Sequence, residues 1–425
     1  MRQVPVEQLA DTIIVKSPQS FRLVAPFFIV IILDAIGFGI IAPLLAPLVA
    51  QASHVLWGAH ASSYVIHILY GLILAAFPIS YMIGAPILGA LSDYLGRKQV
   101  LFFCLVGVLI GFICYVLSFS LASISLLILG RVLAGFTSGS QGVAQAAMAD
   151  ISLASKDKAI NIGMIAVAMT LGLVLGPLVG GELSNPKWIS WFSLTTPFYF
   201  VILLSIFNLF ILLIWVKSDN NISHQAVLPH LTQHWQNFIA LFKSTKICLL
   251  LVVFFFFELG WSLYYQSLAL FLAEQFHFQA QTIGLFLTYV GIILSFGLIA
   301  IVRLAVNYLK LKTVIFIALL IGVISLIAVY GFHLFIGQCL LVIPVTFAVA
   351  LIYTSLITLV SNLVAKDQQG LLMGTTDGLL ALAFAITGFL AGWLAYFNIN
   401  LPFLVAGCFW LVALIIVRII YGLMS

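Results

Sequence analysis

The sequence predicts an all-α membrane protein with twelve transmembrane helices in two pseudo-symmetric six-helix halves. The prediction depends on the composition, on the distribution of charge and on an internal repeat. Of 425 residues, 64% are hydrophobic and only 7% are charged, whereas a soluble domain is about a quarter charged. A water-soluble fold cannot bury that much apolar surface, so lipid must surround most of the chain.

The apolar residues are arranged in blocks, each as long as the roughly 20 residues that a bilayer span needs. We number the predicted spans 1 to 12 and place them at 24–49, 64–91, 99–121, 123–148, 160–183, 195–216, 247–273, 281–303, 313–332, 334–361, 371–395 and 401–421. The longest polar interruption follows span 6. The predicted domains are an N-terminal segment 1–23, a first half 24–216, a central loop 217–246 with a short amphipathic helix at 230–242, and a second half 247–425.

The basic residues predict the orientation of the spans. With the N-terminus in the cytoplasm, 15 of the 17 Lys and Arg residues fall in cytoplasmic segments. Lys187 is alone in an outside loop, and Arg131 lies within a span. This asymmetry follows the positive-inside rule. We therefore expect a multi-pass protein of a bacterial inner membrane with both termini in the cytoplasm.

An internal repeat supports two related halves. DYLGRKQVLF at 93–102 follows span 2, and NYLKLKTVIF at 307–316 follows span 8. The two segments share five identical residues at a constant offset, and they occupy equivalent positions in the predicted topology. Duplicated halves are common in secondary transporters, where they face each other across a central cavity.

Several functional classes are disfavoured by the sequence. The five cysteines show no C-x-x-C pair, and His54, His60 and His67 are too few for a metal site, so we expect no metal and no cofactor. Nucleic acid is not an expected partner because the basic residues are scattered, and no G-x-x-x-x-G-K-[ST] loop for a nucleotide is present. No catalytic His/Asp/Ser group lies near an interface, so we expect a monomeric non-enzyme that works within the bilayer on a small molecule.

A charged motif, GALSDYLGRK at 89–98, follows span 2. A glycine at its start permits close helix contact and a second glycine permits a tight turn. The motif resembles the signature G-x-L-s-D-x-x-G-R-k of the major facilitator superfamily, in which it holds the inner gate shut by bridging to the N-terminus of the eleventh helix. The alternative is that its basic residues only enforce topology. The gate implied by the resemblance comprises Gly89, Asp93, Gly96, Arg97, Lys98 and Asp367.

Span 4 contains GRVLAGFTSG at 130–139, which resembles the second motif of this superfamily. An arginine within a span is costly and by default functional. At about 100° per residue, Arg131, Ser138 and Gln145 share one helix face, with Gln141 beside it. The resemblance assigns this face to the substrate cavity and gives Arg131 a role in proton exchange. The alternative is a helix-packing arginine paired to a backbone carbonyl.

Span 5 contains GLVLGPLVGG at 172–181, which matches the G-x-x-x-G-P-x-x-G-G motif associated in this superfamily with proton-coupled exporters. The glycines permit tight helix packing and the proline permits a bend. A generic seam of small residues would explain the glycines but not the central Gly-Pro. The motif residues are Gly172, Gly176, Pro177, Gly180 and Gly181.

LDAIGFGIIAP at 33–43 in span 1 resembles the same drug:proton antiporters, especially tetracycline efflux pumps. The likeness runs from about residue 28 to the end of the chain. Those pumps carry acidic residues in the third and ninth spans, and this chain has none there, which argues against tetracycline as the substrate. The resemblance implies the major facilitator fold and energy from a proton gradient.

Proton coupling needs a carboxylate that can gain and lose a proton as the cavity changes sides. Three acids lie well inside spans: Asp34, Glu258 and Asp377. Asp34 and Glu258 occupy equivalent positions in spans 1 and 7, both of which line the cavity in the superfamily. The alternative for Asp34 is a structural carboxylate that caps backbone. Asp377 lies near the start of span 11 and has the alternative role of stabilising that helix end.

By helical spacing, Glu258, Trp261, Ser262 and Tyr265 share one face of span 7 and form a polar and aromatic surface suited to a flat or cationic ligand. The leading interpretation is alternating-access efflux of a small amphipathic drug or of a metabolite such as a siderophore, coupled to protons. The alternatives are a proton-coupled importer of an amino acid or nucleoside and a membrane sensor that transports nothing.

Overall fold

The computed structural model describes residues 18–51, 54–57, 61–150, 155–216, 244–332, 334–364 and 369–424. Within these ranges the chain is helical and has no strand, and ten helices are long and apolar enough to cross a membrane. They are Val24–Ala50, Ser63–Leu95, Arg97–Ser120, Thr196–Trp215, Thr245–Phe276, Ala280–Tyr308, Leu311–Gly331, Phe335–Ser361, Gln369–Phe397 and Leu401–Ile419. These helices correspond to spans 1–3 and 6–12.

Spans 4 and 5 complete the set of twelve. Span 4 is formed by Ile124–Thr137 and Ser140–Asp150, and span 5 by Ser155–Glu182. The predicted twelve-helix fold is therefore confirmed. The amphipathic helix predicted at 230–242 lies outside the described residues.

Three spans depart from a single α-helix. Span 1 changes at Ile40 from Pro18–Gly39 to Ile41–Ala50, since Pro43 has no N–H to donate to the carbonyl four residues earlier. Span 8 contains a π-helical turn at Gly297–Ile301. Span 4 is interrupted at Ser138 and Gly139, so helical spacing alone does not relate Gln145 to Arg131.

The packing of the spans repeats with a period of six. In the first half span 1 packs on spans 5 and 6, span 2 on span 4, and span 3 on spans 4 and 6. In the second half span 7 packs on spans 11 and 12, span 8 on span 10, and span 9 on spans 10 and 12. Between the halves span 2 packs on span 11 and span 5 on span 8. Each contact thus has its counterpart six spans later, as the sequence repeat predicts.

The two repeat segments lie at the same end of the molecule, which we call the basic end because Arg97, Lys98 and Lys312 begin spans there. Gly96 joins spans 2 and 3 with a φ of +93°, a conformation that glycine adopts without steric cost. The tight turn predicted at Gly96 is therefore confirmed.

At the opposite end the halves are in close contact. A Cβ atom built on Gly71 of span 2 would lie 2.7 Å from the carbonyl oxygen of Phe389 in span 11, and one on Gly388 would lie 2.8 Å from the backbone nitrogen of Ala75. A Cβ on Gly181 of span 5 would lie 2.9 Å from the carbonyl oxygen of Ala280 in span 8. Only hydrogen fits at these positions, so the backbones of the two halves seal this end.

At the basic end the same helices are apart. A Cβ atom built on Gly89 of span 2 would meet nothing within 4 Å, and the same holds for Gly370, Gly374 and Gly378 of span 11. The prediction that Gly89 permits a close helix contact is therefore wrong for this conformation, since no described residue lies beside it. As far as the described residues show, the molecule is open at the basic end and closed at the opposite end.

Candidate functional site

A small cavity lies at the centre of the molecule, just where the contact between the halves begins. Spans 1, 2, 4 and 7 form its wall, and both halves contribute. It is lined by Phe38, Gly39, Ala42, Leu74, Arg131, Tyr265 and Gln266. Two of the predicted site residues, Arg131 and Tyr265, thus meet across the interface between the halves.

Arg131 is almost completely buried, with 1% of its surface exposed. Its Nε donates to the carbonyl oxygen of Ile73 at 3.1 Å, its Nη1 donates to the carbonyl oxygen of Gly37 at 3.4 Å, and its guanidinium carbon lies 4.7 Å from the centre of the Phe77 ring. The planar group thereby joins span 4 to spans 1 and 2. These contacts match the alternative of an arginine paired to backbone carbonyls, in a position that also lines the cavity.

Asp34 lies in span 1 beside the interruption of span 4. Ser140 Oγ donates to Asp34 Oδ2 at 2.7 Å, and the Ser138 hydroxyl lies near the same carboxyl group. Ser140 opens the second helix of span 4, where a carboxylate is favoured by the helix dipole. Asp34 is therefore a buried acid that accepts from a side-chain hydroxyl at a helix start, whereas the structural alternative for this residue is a carboxylate that caps backbone.

Glu258 lies in span 7 with 1% of its surface exposed. Among the described residues no group donates to its buried Oε2. Ser262 Oγ donates instead to the backbone carbonyl of Glu258 at 2.6 Å. The negative charge of Asp377 in span 11 lies within electrostatic range of Glu258. An unpartnered oxygen on a buried carboxyl is unfavourable unless the carboxyl binds a proton or a ligand.

Asp377 is exposed, and it lies one residue before Gly378, whose Cβ position faces open space. Its charge also acts on Tyr353 of span 10 and on Tyr81 of span 2. Asp34 also lies within electrostatic range of Tyr81. The three intramembrane acids thus surround one region, between the central cavity and the open basic end, although they belong to three different spans.

The face predicted on span 7 divides into two parts. Trp261 and Tyr265 are stacked in a tilted arrangement with ring centres 5.5 Å apart, and Tyr265 reaches the cavity. Ser262 is fully buried and accepts a hydrogen bond from Thr387 of span 11 at 2.8 Å. Ser262 therefore joins two spans of the second half, while Tyr265 faces the first half.

Three residues at the site, Gln266, Tyr81 and Tyr353, are not among those that the sequence predicts. Gln266 lines the cavity and donates from Nε2 to Thr387 Oγ1 at 2.9 Å, while its Oε1 is buried without a hydrogen-bond partner in the described chain. The sequence feature that could identify Gln266 is its position, eight residues and about two turns after Glu258 on the same helix. Tyr81 and Tyr353 gave no comparable signal, because a tyrosine within a span is compatible with simple packing.

The remaining predicted cavity residues lie at the interruption of span 4 and in its second helix. Ser138 is buried at the interruption beside Asp34. Gln141 and Gln145 are partly exposed, and the Cβ position of the neighbouring Gly142 meets nothing within 4 Å. This part of span 4 therefore has an open side with two amide side chains near it.

The predicted gate residues lie at the open basic end. Arg97 Nη1 is 2.7 Å from Asp93 Oδ1, an ion pair within the first half. Lys98 Nζ donates to the carbonyl oxygen of Leu213 in span 6 at 3.0 Å. Asp367 lies outside the described residues. The contacts described here for Asp93 and Lys98 are therefore contacts within the first half.

The glycine motif of span 5 packs as predicted. Cβ atoms built on Gly172, Gly176 and Gly180 would contact Ala35, Gly39 and Ile40 of span 1, respectively, and Gly181 faces span 8 of the other half. A Cβ on Gly39 would lie 3.1 Å from Cδ of Pro177. The close approach of span 5 to span 1 brings the motif next to the segment that carries Asp34.

Among the described residues no three His, Cys, Asp or Glu side chains form a group that could hold a metal ion. His60, one of the three histidines considered above, lies outside the described residues.

Comparison with known proteins gives a consistent result. The family model of the Major Facilitator Superfamily matches residues 27–386 and, in a second match, 250–424. The class B tetracycline resistance protein of Escherichia coli is 29% identical over 352 residues, which cover 81% of this chain and 82% of that protein. Multidrug resistance protein 2 of Bacillus subtilis strain 168 is 26% identical over 352 residues, 81% of this chain and 84% of that protein.

Among solved structures, the human organic anion transporter MFSD10 (TETRAN) superposes with a TM-score of 0.65 at 22% sequence identity, covering 94% of this chain and 100% of its own.

Proposed function

This chain belongs to the major facilitator superfamily, and from that premise we propose that it expels a small amphipathic molecule, a drug or a metabolite such as a siderophore, in exchange for protons. The similarity to tetracycline and multidrug resistance proteins supports efflux. It is a multi-pass membrane protein. We further propose that it is a monomer in a bacterial inner membrane with its basic end in the cytoplasm, as the positive-inside rule favours.

The proposal of proton coupling is supported mainly by the environment of the Glu258 carboxyl group. It is buried in the span that lines the cavity, and its Oε2 has no hydrogen-bond partner among the described residues. A proton or a cationic ligand would each satisfy this oxygen, and the two cannot occupy it together. Competition at one carboxyl is a sufficient basis for exchange, because the carrier then changes sides loaded with either the proton or the ligand.

The lining of the central cavity would suit an amphipathic ligand once the cavity widens, since in this conformation its volume of about 10 Å³ has room for about one water molecule. Phe38 and Leu74 offer apolar contact, Tyr265 offers a ring face, and Arg131 and Gln266 offer polar atoms. Pockets for small molecules commonly combine an apolar wall with few polar groups. In the present conformation such a ligand would enter from the basic end, the side on which an exporter must load.

The first prediction tests Glu258. Purified protein is reconstituted in liposomes that enclose a pH-sensitive dye, a pH gradient is imposed, and ethidium is added as the probe. Glu258→Gln keeps the shape but cannot ionise, so we expect probe-dependent proton flux to fall to the level of empty liposomes. Glu182→Gln is the matched control, because Glu182 only accepts from Gln281 at the sealed end and a glutamine can still accept there.

Undiminished probe-driven proton flux in Glu258→Gln would remove this residue from the coupling step. The same liposomes decide between export and its alternative. Antiport moves probe and protons in opposite directions, whereas an importer running as a symporter would accumulate a labelled amino acid or nucleoside together with protons. A sensor that transports nothing would give no flux with any probe.

A further inference from the structure

An ion pair joins the two halves at the sealed end of the molecule. His67 Nε2 in span 2 of the first half lies 3.0 Å from Glu274 Oε1 in span 7 of the second half. The histidine side chain is 9% exposed and the glutamate side chain 25%. The pair lies far from the carboxylates discussed above, because Glu274 follows Glu258 by four helical turns.

The hydrogen-bond geometry determines how many protons the pair holds. His67 Nδ1 lies 2.8 Å from the backbone carbonyl oxygen of Ser63, which can only accept, so Nδ1 carries a hydrogen. His67 Nε2 faces a carboxylate oxygen. One further proton must lie between Nε2 and that oxygen, either on the imidazole or on the carboxyl. Without it, two lone pairs would face each other at 3.0 Å.

The surroundings add no competing charge. The Tyr396 ring of span 11 is 6.0 Å from the imidazole ring, and Tyr70 lies one turn along span 2, within range of the Glu274 charge. The stretch of span 11 that faces span 2 here, residues 388–397, contains no charged residue. Among the groups that the structure describes around His67, Glu274 is therefore the acid that pairs with the imidazole.

The pair is set in the seal itself. A Cβ built on Gly392 of span 11 would collide with the carbonyl oxygen of His67, and Gly71 follows one turn later in the same contact with span 11. Opening this end requires span 2 to leave span 11 and span 7, so the contact between His67 and Glu274 must break at the same time.

We propose that His67 and Glu274 are a second proton-binding site, distinct from Glu258, which latches the exit side of the transporter when it is protonated. The proposal rests on the proposed orientation, in which this end faces the outside. When this end is closed, the pair holds one more proton than a neutral His67 and an anionic Glu274 hold when they are apart. Acidification outside therefore favours closure. Alkaline conditions favour opening. For a single proton, the ratio of closed to open molecules changes at most about tenfold per pH unit.

The experiment measures the gate itself without any transported molecule. The five native cysteines are replaced, and spin labels are attached at Leu121→Cys in the first half and Thr282→Cys in the second, both exposed positions near the sealed end. Distances between the labels are measured by pulsed electron resonance on the full chain between about pH 5.5 and pH 8, a range that spans the ordinary titration of histidine. We expect the short-distance population to grow as the pH falls.

Two variants and one control assign the response. His67→Gln can still donate to Glu274 but binds no proton, so its distance distribution should not change with pH. Glu274→Gln should be equally insensitive. His277→Asn is the control, because His277 is an exposed histidine at the same end with a left-handed backbone that asparagine tolerates. It should keep the response of the parent protein.

The latch would be overturned if the distance distribution of the parent protein did not change with pH. It would also be overturned if the pH response persisted in both His67→Gln and Glu274→Gln. If either variant is unstable, the other decides. The labels report on the gate alone, so a protein that moves no ethidium can still show the latch. Likewise, loss of the latch leaves the flux test of Glu258 unaffected.

Discussion

Asp34 and Arg131 are buried ionisable side chains within spans of the first half, and the hydrogen bonds described for each go to uncharged groups. Arg131 donates to two backbone carbonyls, whereas Asp34 accepts from the hydroxyl of Ser140. A carboxyl bonded to a hydroxyl can be neutral or charged without losing the bond, because a serine can donate or accept. Asp34 thus retains the freedom to exchange a proton.

The second prediction separates the two roles of Asp34. Asp34→Asn keeps an oxygen that accepts from Ser140, so we expect little change in stability but altered proton coupling. Asp34→Ala leaves the buried hydroxyl unpaired, which should cost about 1–3 kcal/mol. Thermal unfolding in detergent, followed by tryptophan fluorescence, measures the change in stability. Proton flux in dye-loaded liposomes measures the change in proton coupling.

An asparagine variant with normal probe-driven proton flux would leave Asp34 with a structural role only. Equal melting temperatures for Asp34→Asn and Asp34→Ala would show that the bond to Ser140 contributes nothing to stability.

At the scale of the helices, glycine decides how closely two spans approach. Gly176 of span 5 and Gly39 of span 1 lie against each other, and a Cβ on Gly176 would lie 3.2 Å from both Gly39 Cα and the carbonyl oxygen of Ile36. In helix pairs without glycine at the contact, larger side chains keep the two helix axes farther apart. This seam fixes the position of Asp34 relative to span 4.

The third prediction follows from this seam. Gly176→Ala should force spans 1 and 5 apart and lower stability by about 1–3 kcal/mol, the usual cost of overpacking. Gly331→Ala is the matched control, since a Cβ there meets nothing within 4 Å. The two variants are compared by thermal unfolding in the same detergent; a Gly176→Ala protein as stable as the Gly331→Ala protein would contradict the tight seam.

The sequence was sufficient to predict the elements but not their interruptions. Hydropathy and basic residues located all twelve spans, because the cost of exposing polar backbone to lipid leaves only helices as a solution. The glycine seam of span 5 and the turn at Gly96 were also predictable, since each depends on a local pattern. The interruption of span 4 was not, because it arises where Gly139 meets the backbone of Ala85 in another span.

The site was predictable in part for a similar reason. An acid or an arginine within a span is conspicuous in the sequence, so Asp34, Arg131 and Glu258 could be named. The hydrogen-bond partners of the site residues could not be predicted. Nothing in the sequence relates Asp34 to Ser140, which is 106 residues away, or Gln266 to Thr387 in another span.

The whole molecule is open at the basic end, and its charged motif is part of that state. The pair between Asp93 and Arg97 is an exposed i, i+4 contact with a 64% exposed carboxylate, a type that contributes roughly 0.3–0.5 kcal/mol. If the gate closes, the resemblance to the superfamily places this carboxylate at the N-terminus of span 11, where a negative charge gains more. Its charge therefore stabilises the closed gate more than the open one.

The fourth prediction is that Asp93→Asn increases the fraction of molecules open at the basic end. In a chain without native cysteines, Gly378→Cys lies in open space in this conformation. We expect it to react faster with a membrane-impermeant thiol reagent, applied at the basic end, in the Asp93→Asn background. Lys310→Gln, a change of an exposed charge at the same end, is the control and should leave the rate unchanged. Equal rates in all three proteins would contradict the role of Asp93.

Spans 2 and 11 hold glycines at both of their ends. Gly71, Gly388 and Gly392 lie in the contact between the two spans, while Cβ positions on Gly89, Gly374 and Gly378 meet nothing within 4 Å. In this conformation the glycine contact at one end is therefore a barrier to a continuous water column across the bilayer. A membrane potential of 100 mV stores about 2.3 kcal/mol per charge. This arrangement keeps that energy from leaking away as a current through the carrier.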